Sequence, residues 1–171
     1  MSKKIKLSYL YNNNEEVEAE CKQLKWSPNE YLQTILEREL ERRNNNGINR
    51  RLRNAKFPYK KYLEDFLYSK YSSEIKDEIE KLNNLNFIKQ KENIILIGSP
   101  GSGKTHLAIG LGIKACMSGL NVMFVTVPNL IIELKEAMSQ NNLTNYKKKF
   151  MTYDLVILDE LGYISFDRNG C

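Results

Sequence analysis

Apolar positions recur at helical spacing through the first half of the chain. They give way to short unbroken apolar runs in the second. Over residues 5–24, Leu7, Leu10, Val17, Cys21 and Leu24 follow one another at threes, fours and a seven, which predicts one helical stripe. Glu15, Glu16, Glu18 and Glu20 fall mostly off that stripe, and the asparagines at 12–14 weaken its early part. The stretch SPNE announces a second helix. Ser27 is placed to cap, Pro28 suits the first helical position, and Glu30 completes a capping box. Tyr31, Leu32, Ile35, Leu36 and Leu40 then form an amphipathic face, and NNNG at 44–47 is expected to weaken or break it. A further helical segment carries Ile48, Leu52 and Ala55 on one face and is expected to end at Pro58. Residues 59–93 read as mainly helical but mixed.

At Asn93 the texture changes. IILI (94–97) runs straight into glycines, a helical pattern follows, and then come the β-rich run NVMFVTV (121–127), a helix from about Asn129 to Ser139, a polar stretch, and the apolar strand LVIL (155–158). Strand, helix, strand, helix, strand predicts an α/β fold with a parallel sheet. A boundary is expected near residues 57–80. The expected division is a helical N-terminal region over 1–60, a helical linker over 61–92, and a P-loop domain over 93–171.

The 171 residues are 42% hydrophobic, enough for a packed core. No apolar run approaches the roughly 20 residues that span a bilayer, and the basic start turns polar before any signal-peptide stretch develops. A cytoplasmic protein is expected. Cys21, Cys116 and Cys171 lack metal-ligand or redox spacing and read as reduced thiols, and the single histidine, His106, leaves no His-based metal site. The net charge of +5 is concentrated: Arg38–Lys61 holds nine basic and two acidic residues. That excess points to a polyanion partner.

GSPGSGKT (98–105) completes the pattern G-x-x-x-x-G-K-[ST] between an apolar strand and a helix. Gly98, Gly101 and Gly103 let the backbone curl so that N–H groups around Ser99, Pro100 and Ser102 turn toward phosphate oxygens. The helix starting there adds its positive end. Lys104 would meet the β- and γ-phosphates of ATP, and Thr105 offers a hydroxyl to Mg²⁺. His106 follows on the helix, beside the nucleotide, and as a residue type most often packs or hydrogen-bonds locally. Asp159 and Glu160 stand just past the carboxyl end of LVIL, where ligands bind in open parallel sheets. Asp159 is placed to hold Mg²⁺, and Glu160 to orient and deprotonate the water attacking the γ-phosphate.

NIILIGSPGSGKTHLAIGLGIKA and YDLVILDELGYISFDRNG together resemble the IstB-like helper ATPases of insertion sequences, AAA+ proteins close to the DnaC helicase loaders and DnaA. SPNEYLQTILERELERR and RRLRNAKFPYKKYLEDF resemble that family's helical N-terminal region, so the likeness runs from about residue 25 to the end. It implies a P-loop NTPase (AAA+) sheet with flanking helices, preceded by a small all-helical region. It also implies ATP-bound subunits that assemble on double-stranded DNA and activate a transposase. By the same resemblance Gly98, Gly101, Gly103, Lys104 and Thr105 map to nucleotide binding, and Asp159 and Glu160 to Mg²⁺ and water activation.

Family members continue after the acid pair with a sensor strand, an arginine finger and a last strand, and none of these fits in LGYISFDRNGC. The missing strand would lie between IILI and LVIL, so the sheet is expected to be incomplete, with unpaired edges. Sequence-tolerant contact with DNA phosphates is expected from Arg42, Arg43, Arg50, Arg51, Arg53, Lys56, Lys60 and Lys61. Two other readings stand beside the transposition helper: a DnaC-like helicase loader, and a non-hydrolysing remnant that binds nucleotide or DNA only.

Overall fold

The computed structural model describes residues 7–162. The expected features from Tyr163 to Cys171 lie outside the described residues. Two compact units divide at Asn49/Arg50, inside a long helix and earlier than the expected limit at residue 60.

The first unit is built from α1 (Ser8–Leu24) and the first part of α2 (Pro28–Asn54). α1 is interrupted at Asn13, whose φ of −124° leaves the helix and whose side-chain amide donates to the Tyr9 carbonyl at 2.9 Å. α2 opens on the predicted capping box. Glu30 accepts from the Ser27 N–H and hydroxyl at 2.7 Å each, and the Glu30 N–H donates back to Ser27 Oγ at 3.3 Å. Val17 and Ile35 are buried here. Arg38 grips Glu20 with two 2.7 Å bonds, which holds the Glu20 carboxyl below its usual range. Glu39 is also buried. Burial would raise its pKa, but the Tyr9 N–H at 2.6 Å and Arg43 Nε at 2.8 Å outweigh that and keep it low.

NNNG does not break α2, which runs unbroken through residues 44–47. Gly47 costs only about 1 kcal/mol relative to alanine, whereas stopping and restarting would require a second costly nucleus. The helix also ends before Pro58. Its last residue is Asn54, and Lys56 then turns with a left-handed φ of 59°.

The second unit takes in the end of α2 and continues with two 3-10 turns, Leu63–Asp65 and Tyr68–Lys70, and two helices, α3 (Ser73–Asn83) and α4 (Asn86–Gln90). Then come α5 (Lys104–Met117), β1 (Val122–Thr126), α6 (Val127–Ser139), α7 (Leu143–Phe150) and β2 (Leu155–Asp159). β1 and β2 pair in parallel, from Val122 opposite Leu155 to Thr126 opposite Asp159. α5 is the centre of the core, with Leu107, Ile109, Leu111 and Ile113 buried. Leu63, Phe66, Ile79 and Phe87 join the same core, so the segment expected as a linker packs into this unit. α7 occupies part of the stretch read as merely polar. Its Tyr146 hydroxyl donates to Glu133 of α6 at 2.7 Å.

The predicted first strand is absent as a strand: residues 94–97 join no ladder. Ile95 is 79% and Ile97 90% exposed, and Leu158 on β2 is 43% exposed. A strand needs a neighbour about 4.8 Å away to satisfy its N–H and C=O groups. The resemblance puts another strand between IILI and LVIL, and none of the described residues fills that position.

Gly110 marks a close approach in the core. A Cβ there would lie 2.7 Å from Leu63 Cδ2 and 2.9 Å from Leu63 Cγ. Gly110→Val is expected to destabilise the unit by about 1–3 kcal/mol through overpacking. Denaturant unfolding checks this, and an unchanged midpoint would show that Leu63 yields freely. Cys21 and Cys116 are free thiols, and burial pushes Cys116 up to about 11. Among the described residues no helix is long and apolar enough to cross a membrane.

Candidate nucleotide-binding site

The loop 98–103 turns sharply into α5. Gly101 and Gly103 have φ of +75° and +84°, values that L side chains rarely adopt. Gly103 is constrained a second time, since a Cβ there would sit 3.1 Å from both the Phe66 ring and the Tyr71 hydroxyl. No side chain caps α5, so its positive end is left to the loop. Lys104 Nζ folds back over this loop and donates to Gly98 O at 2.8 Å and Ser99 O at 2.9 Å, with Ser102 Oγ at 3.4 Å.

Asp159 ends β2 beside the start of α5. The Thr105 hydroxyl donates to its carboxylate, 3.1 Å from Oδ2 and 3.3 Å from Oδ1. A hydroxyl and a carboxylate side by side are the hard oxygen donors that a Mg²⁺ ion takes, so these residues fit the ion the sequence implied. Glu160, the next residue, is exposed and held at φ +61°. That left-handed backbone costs a non-glycine residue about 1–2 kcal/mol, and it recurs at Lys25, Lys56, Leu85, Lys91 and Asn141.

The structure thus brings Lys104, Thr105 and Asp159 together at the carboxyl end of β2, with Glu160 adjoining. His106 points its Nε2 at the Tyr62 carbonyl, 2.9 Å away. A carbonyl only accepts, so Nε2 carries the proton. The ring also stands edge-on to Phe66 at 5.3 Å. Sequence reasoning missed the bracket behind the loop. The Tyr71 hydroxyl donates to the Ser102 carbonyl, and the Tyr71 ring stacks on Phe66 at 5.5 Å. The only signal was the aromatic density of YLEDFLYSKY.

The cations expected on DNA fall in both units, Arg42 and Arg43 in the first and the other six in the second. Arg43 pairs with Glu39, and Arg51 Nε donates to the Cys116 carbonyl at 2.8 Å. Arg42 carries a buried Nη1 without a hydrogen-bond partner. Arg50, Arg53, Lys56, Lys60 and Lys61 are exposed.

A glycine loop curled at a helix start, its lysine, and a threonine–aspartate contact bridging to a parallel strand define a P-loop NTPase site. The family model described as IstB-like ATP binding protein matches residues 1–171, and the chain belongs to that family. It is 33% identical over 165 residues to a protein of Pseudomonas aeruginosa named for ATP binding in insertion sequence IS21, covering 96% of this chain and 62% of the relative. A counterpart named for insertion sequence IS5376 in Geobacillus stearothermophilus is 34% identical over 144 residues, 84% of this chain and 57% of the relative. One named for IS232 in Bacillus thuringiensis is 33% identical, with 55% of it covered. The chain therefore spans a little over half the length of these relatives.

Proposed function

We propose that the chain serves as an ATP-dependent transposition helper, coupling nucleotide binding and hydrolysis to engagement of duplex DNA and a transposase. The observation that supports this reading most is the Thr105–Asp159 contact beside the P-loop, a hydroxyl and a carboxylate brought together from 54 residues apart. Lys104 and the loop amides bind the phosphates. Thr105 and Asp159 hold Mg²⁺, which offsets phosphate charge when bound. Glu160 orients the attacking water and takes its proton. ATP-bound subunits self-associate as AAA+ proteins do, and the helical region with its basic residues contacts DNA or the transposase. The insertion-sequence names of the relatives support this choice over a helicase loader.

Binding to duplex DNA of mixed sequence is expected to weaken steeply between about 50 and 200 mM salt, log K falling by about 0.9 per phosphate contact for each decade of salt. Affinity that stays flat across that range overturns the electrostatic contact. Capture of a replicative helicase rather than a transposase would move the chain to the helicase-loader class.

A second reading has its own observation. Residues 94–97, just before the P-loop, join no ladder among the described residues, which favours nucleotide binding without turnover by this chain alone. Hydrolysis measured with and without an added longer relative separates the two.

A further inference from the structure

At the far end of the strands from Asp159, the second unit holds a cavity of about 520 Å³. Asn121, just before β1, and Val122, its first residue, line it. A five-residue strand is about 13 Å from first to last Cα, so a ligand here is separate from one on the P-loop. Three segments converge on the cavity: Arg51, Arg53 and Lys56 from the end of α2 and its turn, Asn121 at the sheet, and Lys149 and Tyr153 around the end of α7.

Four of these side chains are cationic, and no carboxylate lines the cavity. The neighbouring Asp154 carboxylate accepts the Asn121 N–H at 2.7 Å. Arg53, Lys56 and Lys149 have no ion-pair partner among the described residues. Isolated surface lysines would need no explanation, but these cations come from separate segments that backbone bonds fix in place. The Phe124 N–H donates to Ala55 O at 2.9 Å and ties the arginine wall to β1. Asn121 O accepts the Asp154 N–H at 2.8 Å and ties the lysine wall to the same strand. The Cys116 carbonyl holds Arg51 through Nε and leaves the terminal guanidinium nitrogens for a ligand. Guanidinium, ammonium, amide and phenol groups around one concavity form the donor set of a phosphate site.

We propose that this cavity binds a phosphate of the nucleic-acid backbone, giving the ATPase unit a DNA contact on the opposite end of its sheet from the nucleotide. The proposal rests on the DNA-engaging reading above and adds Lys149, outside the basic segment, to the contact surface. The four cations dominate the lining, with Asn54, Asn121, Thr152 and Tyr153 as its neutral polar side chains, and contacts of that kind to the phosphodiester carry no base sequence.

The test uses the full 171-residue chain. Anisotropy of a labelled mixed-sequence duplex is measured across salt for the parent and for Arg53→Ala with Lys149→Ala, with the thermal midpoint as folding control; both side chains are exposed. The double variant is expected to bind at least about tenfold more weakly at low salt, with a salt slope shallower by about 0.9 for each phosphate that it no longer neutralises. If the parent binds DNA and the variant matches it in affinity and slope, the cavity proposal is overturned and the DNA-engaging reading stands. If the parent binds no duplex, that reading fails first. Pyrophosphate titrated into the Lys104→Ala background reports on a free-phosphate source. Binding there that the double variant removes, with no effect on DNA, assigns the cavity to a free phosphate compound and overturns the DNA assignment.

Discussion

Lys104→Ala is expected to lower nucleotide affinity by about 10²–10⁴-fold while leaving the fold intact. In this structure the ammonium is satisfied by two carbonyl oxygens of its own loop, Gly98 O and Ser99 O. A nucleotide replaces those neutral acceptors with charged phosphate oxygens. Each charge-assisted bond is worth about 1.5–3 kcal/mol, and two of them convert to that loss at about 1.4 kcal/mol per tenfold. The carbonyls left behind lie in an open loop and turn to water, so the thermal midpoint should hardly move. Titration with a fluorescent ATP analogue checks the affinity. A variant that binds as tightly as the parent would remove the P-loop assignment and with it the proposed function.

What could be seen in advance followed from how local each feature is. The capping box at Ser27 and Glu30 spans four residues, and the structure forms every bond it promised. The phosphate loop is equally local: its glycines, lysine and threonine occupy eight consecutive positions. Asp159 was legible because a strand end in a parallel sheet is a defined place. The failures depend on partners distant in sequence. IILI has the composition of a buried strand, but composition supplies no neighbour, and Ile97 stays 90% exposed. α7 was hidden by its lysines and asparagines. What secures it is Tyr146 against Glu133 and the Tyr146–Phe150 ring contact. The aromatic bracket was invisible for the same reason, because Phe66 and Tyr71 become loop supports only when the chain returns past Gly103.

That bracket also bears on the acid pair. Phe66 and Tyr71 fix the loop from behind, and the Thr105–Asp159 contact fixes β2 to the first turn of α5. Glu160 is then the one acid at this crevice, among the described residues, that is exposed and carried on a left-handed backbone. Its exposure at the carboxyl end of β2, next to Asp159, leaves its carboxylate open to a bound water. Glu160→Gln keeps the shape and removes the proton acceptor. It is expected to cut ATP turnover by about 10²–10⁴-fold, the usual contribution of a positioned general base, with nucleotide affinity unchanged because Lys104, Thr105 and Asp159 are untouched. Turnover is measured in the assembly that hydrolyses, with the longer relative added if the chain alone does not. Glu160→Gly is the companion variant: it relieves the left-handed strain, so it should lose turnover without losing stability. If Glu160→Gln hydrolyses ATP at the parent rate, Glu160 is not the base.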